Sequence, residues 1–169
     1  MNVKAMNRTQ KIVFCALLIA LSYLGSMIKI FGSVALDALP AYFGALMFGG
    51  PIGAIVGAVG HLFSAALSGF SMTIPMHLLV AACMALACWA YNWFNKKTNI
   101  VVASIIAILI NGVIMTFLSG FLAVALGISQ SVMAFVLPML APLLIASTIN
   151  VVIAAVLYIV LKKALKLED

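Results

Sequence analysis

The sequence predicts an all-α protein, a bundle of six transmembrane helices with very short loops forming a single membrane domain over residues 1–169. Three observations carry that prediction. Hydrophobic residues make up 67% of the chain and charged residues only 7%, too little polar surface to cover a soluble globule. Mean hydropathy is +1.33, and it is carried in long, nearly uncharged runs broken by brief polar stretches, the pattern of membrane helices. Six crossings also put eight of the nine basic residues on one side: Lys4, Arg8, Lys11, Lys96, Lys97, Lys162, Lys163 and Lys166, with Lys29 alone opposite.

The first span is expected over 10–30. Its apolar run could be taken for a signal peptide, but it lacks a small-x-small cleavage site and further spans follow at once. The second, over 38–48, is short for a hydrocarbon layer of about 30 Å, so it leans on its neighbours or borrows from the preceding loop. Gly49-Gly50-Pro51 makes a tight turn into the third span, 51–68. Pro51 there occupies a first-turn position, where its missing N–H costs nothing. Gly69 to Thr73 reads as a loop, and Pro75 opens the fourth span, 75–94. Asn95 to Asn99 is polar and dibasic, and the fifth span covers 100–126. Gly127 to Gln130 is a break. Pro138 and Pro142 would disturb a continuous helix, so the regular part of the sixth span is placed at 139–161 after a loop or bend.

With six spans both termini share a side, and the excess of Lys and Arg makes that side cytoplasmic. Five or seven spans would put a terminal basic cluster outside. The net charge of +6 is thereby assigned to membrane topology, and no nucleic-acid partner is expected. Cys15, Cys83 and Cys88 fall inside apolar runs without metal-ligand spacing and read as small core residues. No Gly-x-x-x-x-Gly-Lys-Ser/Thr loop is present, so the chain does not hydrolyse ATP through a P-loop of its own. No cofactor or metal is expected.

The two histidines of the protein, His61 and His77, both lie in the stretch GHLFSAALSGFSMTIPMH. On the third span Gly53, Gly57, Gly60, His61, Ser64 and Ser68 recur at three- and four-residue spacing, which sets them on one helical face. The glycines form a surface for close backbone approach. Beyond them come an imidazole and hydroxyls, so the helix is expected to be packed in its cytoplasmic half and to open outward into a polar cavity. His77, just after the Pro75 break, should face the same half. Ionisable groups inside a membrane are costly and frequently functional, although histidine also bridges helices and serine bonds its own backbone one turn back.

Further candidates lie at similar depth. Lys29 and Asp37 share the outer loop, where a plain ion pair is the ordinary reading. Asn111 sits near mid-bilayer on the fifth span, with Thr116 and Ser119 farther out. Tyr23 and Tyr42 have rings able to stack on a flat ligand, though core packing is their commoner use. Asn150 is expected deeper, toward the cytoplasm, as a bond between helices. Trp89, Tyr91 and Trp93 are expected in the inner aromatic belt.

Two stretches carry a resemblance to a known family. One is Ala16-Leu17-Leu18-Ile19-Ala20, an Ala-x-x-x-Ala on the first span. The other is SVALDALPAYFGALMFGGPIGAIVGAVGHLFSAALSGFSMTIPMH, from Ser33 to His77. With the size and six-span layout they make the whole chain resemble the substrate-binding S component of an energy-coupling factor (ECF) vitamin transporter, on the branch associated with cobalamin precursors such as α-ribazole. The resemblance implies a non-enzymatic, multi-pass protein of a prokaryotic cytoplasmic membrane that captures a vitamin-type small molecule from outside. It implies docking through Ala16 and Ala20 onto a membrane coupling subunit carrying two ATPases. The substrate-binding set expected is Lys29, Asp37, Tyr42, His61, His77, Asn111 and Thr116. Pantothenate, riboflavin or folate are the alternative substrates, and a purely structural membrane subunit is an alternative role. An intramembrane hydrolase is disfavoured, because Ser68-Gly69 and Ser119-Gly120 lack a glycine two residues before the serine. Two histidines with distant thiols make a poor metal site.

Overall fold

The computed structural model describes residues 6–31 and 34–166, with the side chains of residues 29–31 and 34 outside that description. Helix α1 (Arg8–Gly25) starts from a reciprocal cap. Asn7 Oδ1 accepts the Gln10 N–H at 2.8 Å, and Gln10 Oε1 accepts the Asn7 N–H at 3.0 Å. Two of the four N–H groups that a helix start leaves unpaired are thereby satisfied.

The first span was expected to run on to residue 30, but the helix stops at Gly25. The Ser26 hydroxyl donates to the Tyr23 carbonyl at 2.6 Å, and the chain leaves in a hairpin of β1 (Lys29–Phe31) and β2 (Val34–Ala35). Lys29 stands opposite Ala35 and Phe31 opposite Val34. Ile28, Ile30 and Phe31 suit a strand as well as a membrane helix, and their apolarity alone does not distinguish the two.

Helix α2 (Leu39–Phe48) has ten residues, seven of them buried. It spans only about 15 Å, so packing rather than length holds it. Gly49 follows with φ of 105°, a conformation open to glycine without strain, and the chain turns at once into α3 (Gly50–Leu67). Helix α4 (Ile74–Lys97) is capped by the Thr73 hydroxyl. Helix α5 (Ile100–Ala125) is capped by Asn99, whose Oδ1 accepts the N–H groups of Val101 and Val102. Helix α6 (Val132–Ala164) is capped by Ser131. Lysines 96–97 and 162–163 occupy the last turns of α4 and α6, where the helix dipole favours cations.

Two further expectations are corrected. Helix α6 is continuous for 33 residues with Pro138 and Pro142 inside it, so no loop or break precedes Met139. In apolar surroundings nothing competes for the remaining helix bonds, and membrane helices accommodate internal prolines. Tyr91 does not join Trp89 and Trp93 at an interface. The two tryptophans are exposed, but Tyr91 is fully buried, edge-on to Tyr42 at 5.6 Å and hydrogen-bonded to Ser104 Oγ at 3.0 Å.

These tyrosines anchor a core that includes Leu18, Ala45, Val56, Cys88, Ala103 and Val151. The glycine face of α3 works as expected. A Cβ at Gly53 would lie 2.6 Å from Ala45 Cα, and one at Gly57 would lie 3.2 Å from Cys88 Sγ, so α2 and α4 both approach α3 backbone-close. Outside, Ile12, Leu17, Leu21, Leu137 and Val156 are exposed. Among the described residues five helices are long and apolar enough to cross a membrane, and α2 is the short one. The fold is an integral-membrane helical bundle carrying one small hairpin.

Candidate functional site

Where the glycine face of α3 ends, the helices part. Short connections return each helix against the one before it, so the β2–α2, α3–α4 and α5–α6 junctions gather at one end of the bundle. A cavity of about 100 Å³ opens there. Its walls come from the segment before α2, the later part of α3, the first half of α4, α5 from its middle onward and α6 from its start to just past its middle.

The polar wall is built by the turn between α3 and α4. Gly69 and Phe70 both take positive φ, 66° and 49°, and reverse the chain so that the first turn of α4 faces the last turns of α3. His77 thereby meets His61, and His61 Nε2 lies 3.2 Å from His77 Nδ1. On its other side His61 Nδ1 lies 3.4 Å from Asp37 Oδ2, supplied by the segment leading into α2. Phe70 stands edge-on to His77 at 5.7 Å and covers it. The result is a three-residue polar chain, carboxylate to imidazole to imidazole. Its far nitrogen, His77 Nε2, is buried without a partner among the described residues.

The opposite wall comes from α5 and α6. Residues Leu109–Ile114 of α5 form a π-turn, a local widening common at functional sites. It carries Asn111 into the cavity lining with its Oδ1 unpartnered. Just beyond it, Thr116 Oγ1 donates to the Gly112 carbonyl one turn back, as serine and threonine commonly do in helices. From α6 come Ser147, whose hydroxyl faces that of Tyr42, and Asn150, whose Oδ1 is buried and unpartnered among the described residues. Five methionines, Met72, Met76, Met84, Met115 and Met139, supply much of the apolar lining.

Of the residues expected from sequence to bind substrate, Asp37, His61, His77 and Asn111 line this one cavity. Of the other three, Tyr42 and Thr116 do not join them. The Lys29 side chain lies outside the described residues. Tyr42 is fully buried against Tyr91, and Thr116 is fully buried with its hydroxyl on its own helix. Neither is in the lining. Among the described residues Asp37 meets His61. Asn150, expected as a bond between helices, holds the Ala146 carbonyl at 2.8 Å and faces the Ala35 carbonyl at 3.5 Å, yet it also lines the cavity. The methionines were missed. Scattered Met residues are ordinary core fillers in sequence, and only the fold gathers them. Ala16 and Ala20 are exposed on α1, whose buried residues are Leu18 and Ser22.

The family described as the substrate-specific component of the ECF transporter matches residues 10–162. In three dimensions the chain is similar to the S component of a bacterial ECF transporter. The TM-score is 0.60 at 15% identity, with 95% of this chain and 97% of that one covered. At that identity the likeness speaks for the fold. No curated protein matches the sequence. A family match over nearly the whole length, on a membrane bundle with a polar cavity at one end, places the chain plainly: it belongs to the substrate-specific components of ECF transporters.

Proposed function

We propose that this protein captures a vitamin-type small molecule, best matched by α-ribazole or a related cobalamin precursor, in the cavity of Asp37, His61 and His77. The observation that carries the proposal is the polar chain of these residues opening into a methionine-lined cavity. A flat aromatic base suits methionine sulfurs, which contact rings favourably. Ribose hydroxyls suit the unpartnered polar atoms of His77, Asn111 and Asn150. No lysine or arginine is among the described lining residues.

The cavity end faces outward in this reading. The opposite end carries Arg8, Lys11 and the lysines closing α4 and α6, and it is cytoplasmic by the positive-inside rule. Both termini are then cytoplasmic, with α2 and its hairpin counting as the sixth crossing of a prokaryotic cytoplasmic membrane. The exposed Ala16 and Ala20 face of α1 docks on a membrane coupling subunit bound to two ATPases, which supply the energy. The short loops and apolar exterior suit a protein that reorients in the bilayer to release its cargo.

The test is to purify the protein in detergent from cells fed a mixture of vitamins and cobalamin precursors, denature it, and identify released molecules by mass spectrometry. Stoichiometric α-ribazole or a close relative is expected. A different vitamin would replace the substrate. No ligand, with negative titrations over the same panel, would overturn the binding role and favour a structural subunit.

A further inference from the structure

Buried polar atoms without partners are costly, and several of them converge on this cavity. What each can accept or donate is decided by the groups behind it. Asn150 is unambiguous. Its Nδ2 donates to the Ala146 carbonyl at 2.8 Å and faces the Ala35 carbonyl at 3.5 Å. Carbonyl oxygens only accept, so the amide must turn its NH₂ that way and leave Oδ1, which only accepts, unpartnered.

The histidines follow the same logic in two steps. Asp37 Oδ2 is 3.4 Å from His61 Nδ1. A carboxylate favours the tautomer that carries its proton on the facing nitrogen. Neutral His61 then presents a lone pair at Nε2, 3.2 Å from His77 Nδ1. Two lone pairs at that distance repel, so His77 carries its proton on Nδ1. Its Nε2, in a residue 5% exposed, is left as a bare acceptor at the cavity wall. With Asn150 Oδ1 it makes two acceptors in the lining whose polarity is fixed by the groups behind them.

We propose that the cavity is an acceptor surface that selects an uncharged ligand presenting hydroxyl or N–H donors, a riboside or polyol rather than a carboxylate or phosphate. Asp37 is its positioning residue, setting the polarity of His77 through His61. This rests on the cavity being the substrate site and adds the chemical class that the site admits. A donor group satisfies an atom that has no partner among the described residues, whereas an anionic oxygen set against the same atom would meet its lone pair. Asp37 need not touch the ligand, because its effect travels through the proton position on two rings.

The protein contains two histidines, so ¹⁵N-histidine labelling yields two ring systems, and His61→Asn assigns them. At pH 8 both rings are expected neutral, with protonated Nδ1 and pyridine-like Nε2. In Asp37→Leu no acceptor faces His61 Nδ1, so the bias toward protonated Nδ1 is expected to be lost in both rings. A wild-type His77 protonated at Nε2, or an Asp37→Leu spectrum identical to wild type, overturns the proposal. A second arm titrates α-ribazole and its tri-O-methyl ether by calorimetry. Wild type should bind the parent at least about ten-fold more tightly, the loss expected when a buried acceptor is left unpaired, and equal affinity overturns the proposal. If neither probe binds, the choice of α-ribazole fails and the nitrogen spectra still decide the polarity.

Discussion

Asn92 donates its side-chain amide to the Ala45 carbonyl at 2.7 Å, joining the later part of α4 to the last turn of α2. Ala45 is among the final four residues of α2, whose carbonyls have no partner inside the helix. In a helix this short such groups are a large fraction of the backbone, and no water reaches a buried one. Asn92→Leu should cost about 1–3 kcal/mol, the penalty for an unsatisfied buried acceptor, read as a lower thermal midpoint in detergent. Ligand affinity of the folded protein should stay as it is, since Asn92 is not in the cavity lining. Unchanged stability would mean that the Ala45 carbonyl finds another donor.

The two glycines of α3 should differ in tolerance. At Gly53 an added methyl meets backbone, 2.6 Å from Ala45 Cα and 2.8 Å from Ala45 N, and backbone cannot step aside. At Gly57 the nearest atoms are Cys88 Sγ and the Met84 carbonyl oxygen, each at 3.2 Å, and a few tenths of an ångström relieve the contact. Gly53→Ala should therefore destabilise by about 1–3 kcal/mol or more, and Gly57→Ala by clearly less. Thermal scans of the two variants compare them directly, and equal losses would contradict the packing described here.

Asn111 and Thr116 lie five positions apart around the same π-turn, yet they should fail in different ways. Thr116→Val removes the hydroxyl that serves the Gly112 carbonyl and should cost about 0.5–1.5 kcal/mol of stability, with binding affected only through that loss. Asn111→Ala removes a cavity group and should weaken ligand binding roughly three- to ten-fold, the value of one neutral hydrogen bond, with little effect on unfolding. Calorimetric titration alongside thermal melting separates them. A reversed pattern would place Thr116, rather than Asn111, at the ligand.

Ala16 and Ala20 are exposed on a helix whose buried residues are Leu18 and Ser22. A bulky residue there points away from the described core. Ala16→Trp or Ala20→Trp should leave the thermal midpoint within about 0.5 kcal/mol of wild type and ligand affinity unchanged. Uptake and co-purification with the coupling subunit should be lost. Normal uptake by both variants would move the docking face elsewhere.

Much was legible from the chain alone, for reasons belonging to single helices. Apolar runs and lysine placement announce a membrane bundle because a bilayer filters each segment by its own composition. The three- and four-residue spacing of Gly53, Gly57, Gly60 and His61 is a property of one helix, and so it predicted a face for close backbone approach and a polar opening beyond, though not that α2 and α4 would be the helices to approach. Pairings between segments were not legible. Asp37 could be matched in sequence only with its loop neighbour Lys29, whereas in three dimensions it meets His61. Tyr42 and Tyr91 looked like a ligand-facing ring and an interfacial one until the fold drove them together. The hairpin after Gly25 and the unbroken α6 escaped because β-branched residues and prolines take different conformations in different surroundings. The acceptor polarity of the cavity is more remote still. It depends on which atom stands behind Asn150 and behind each imidazole, and only tertiary structure decides that.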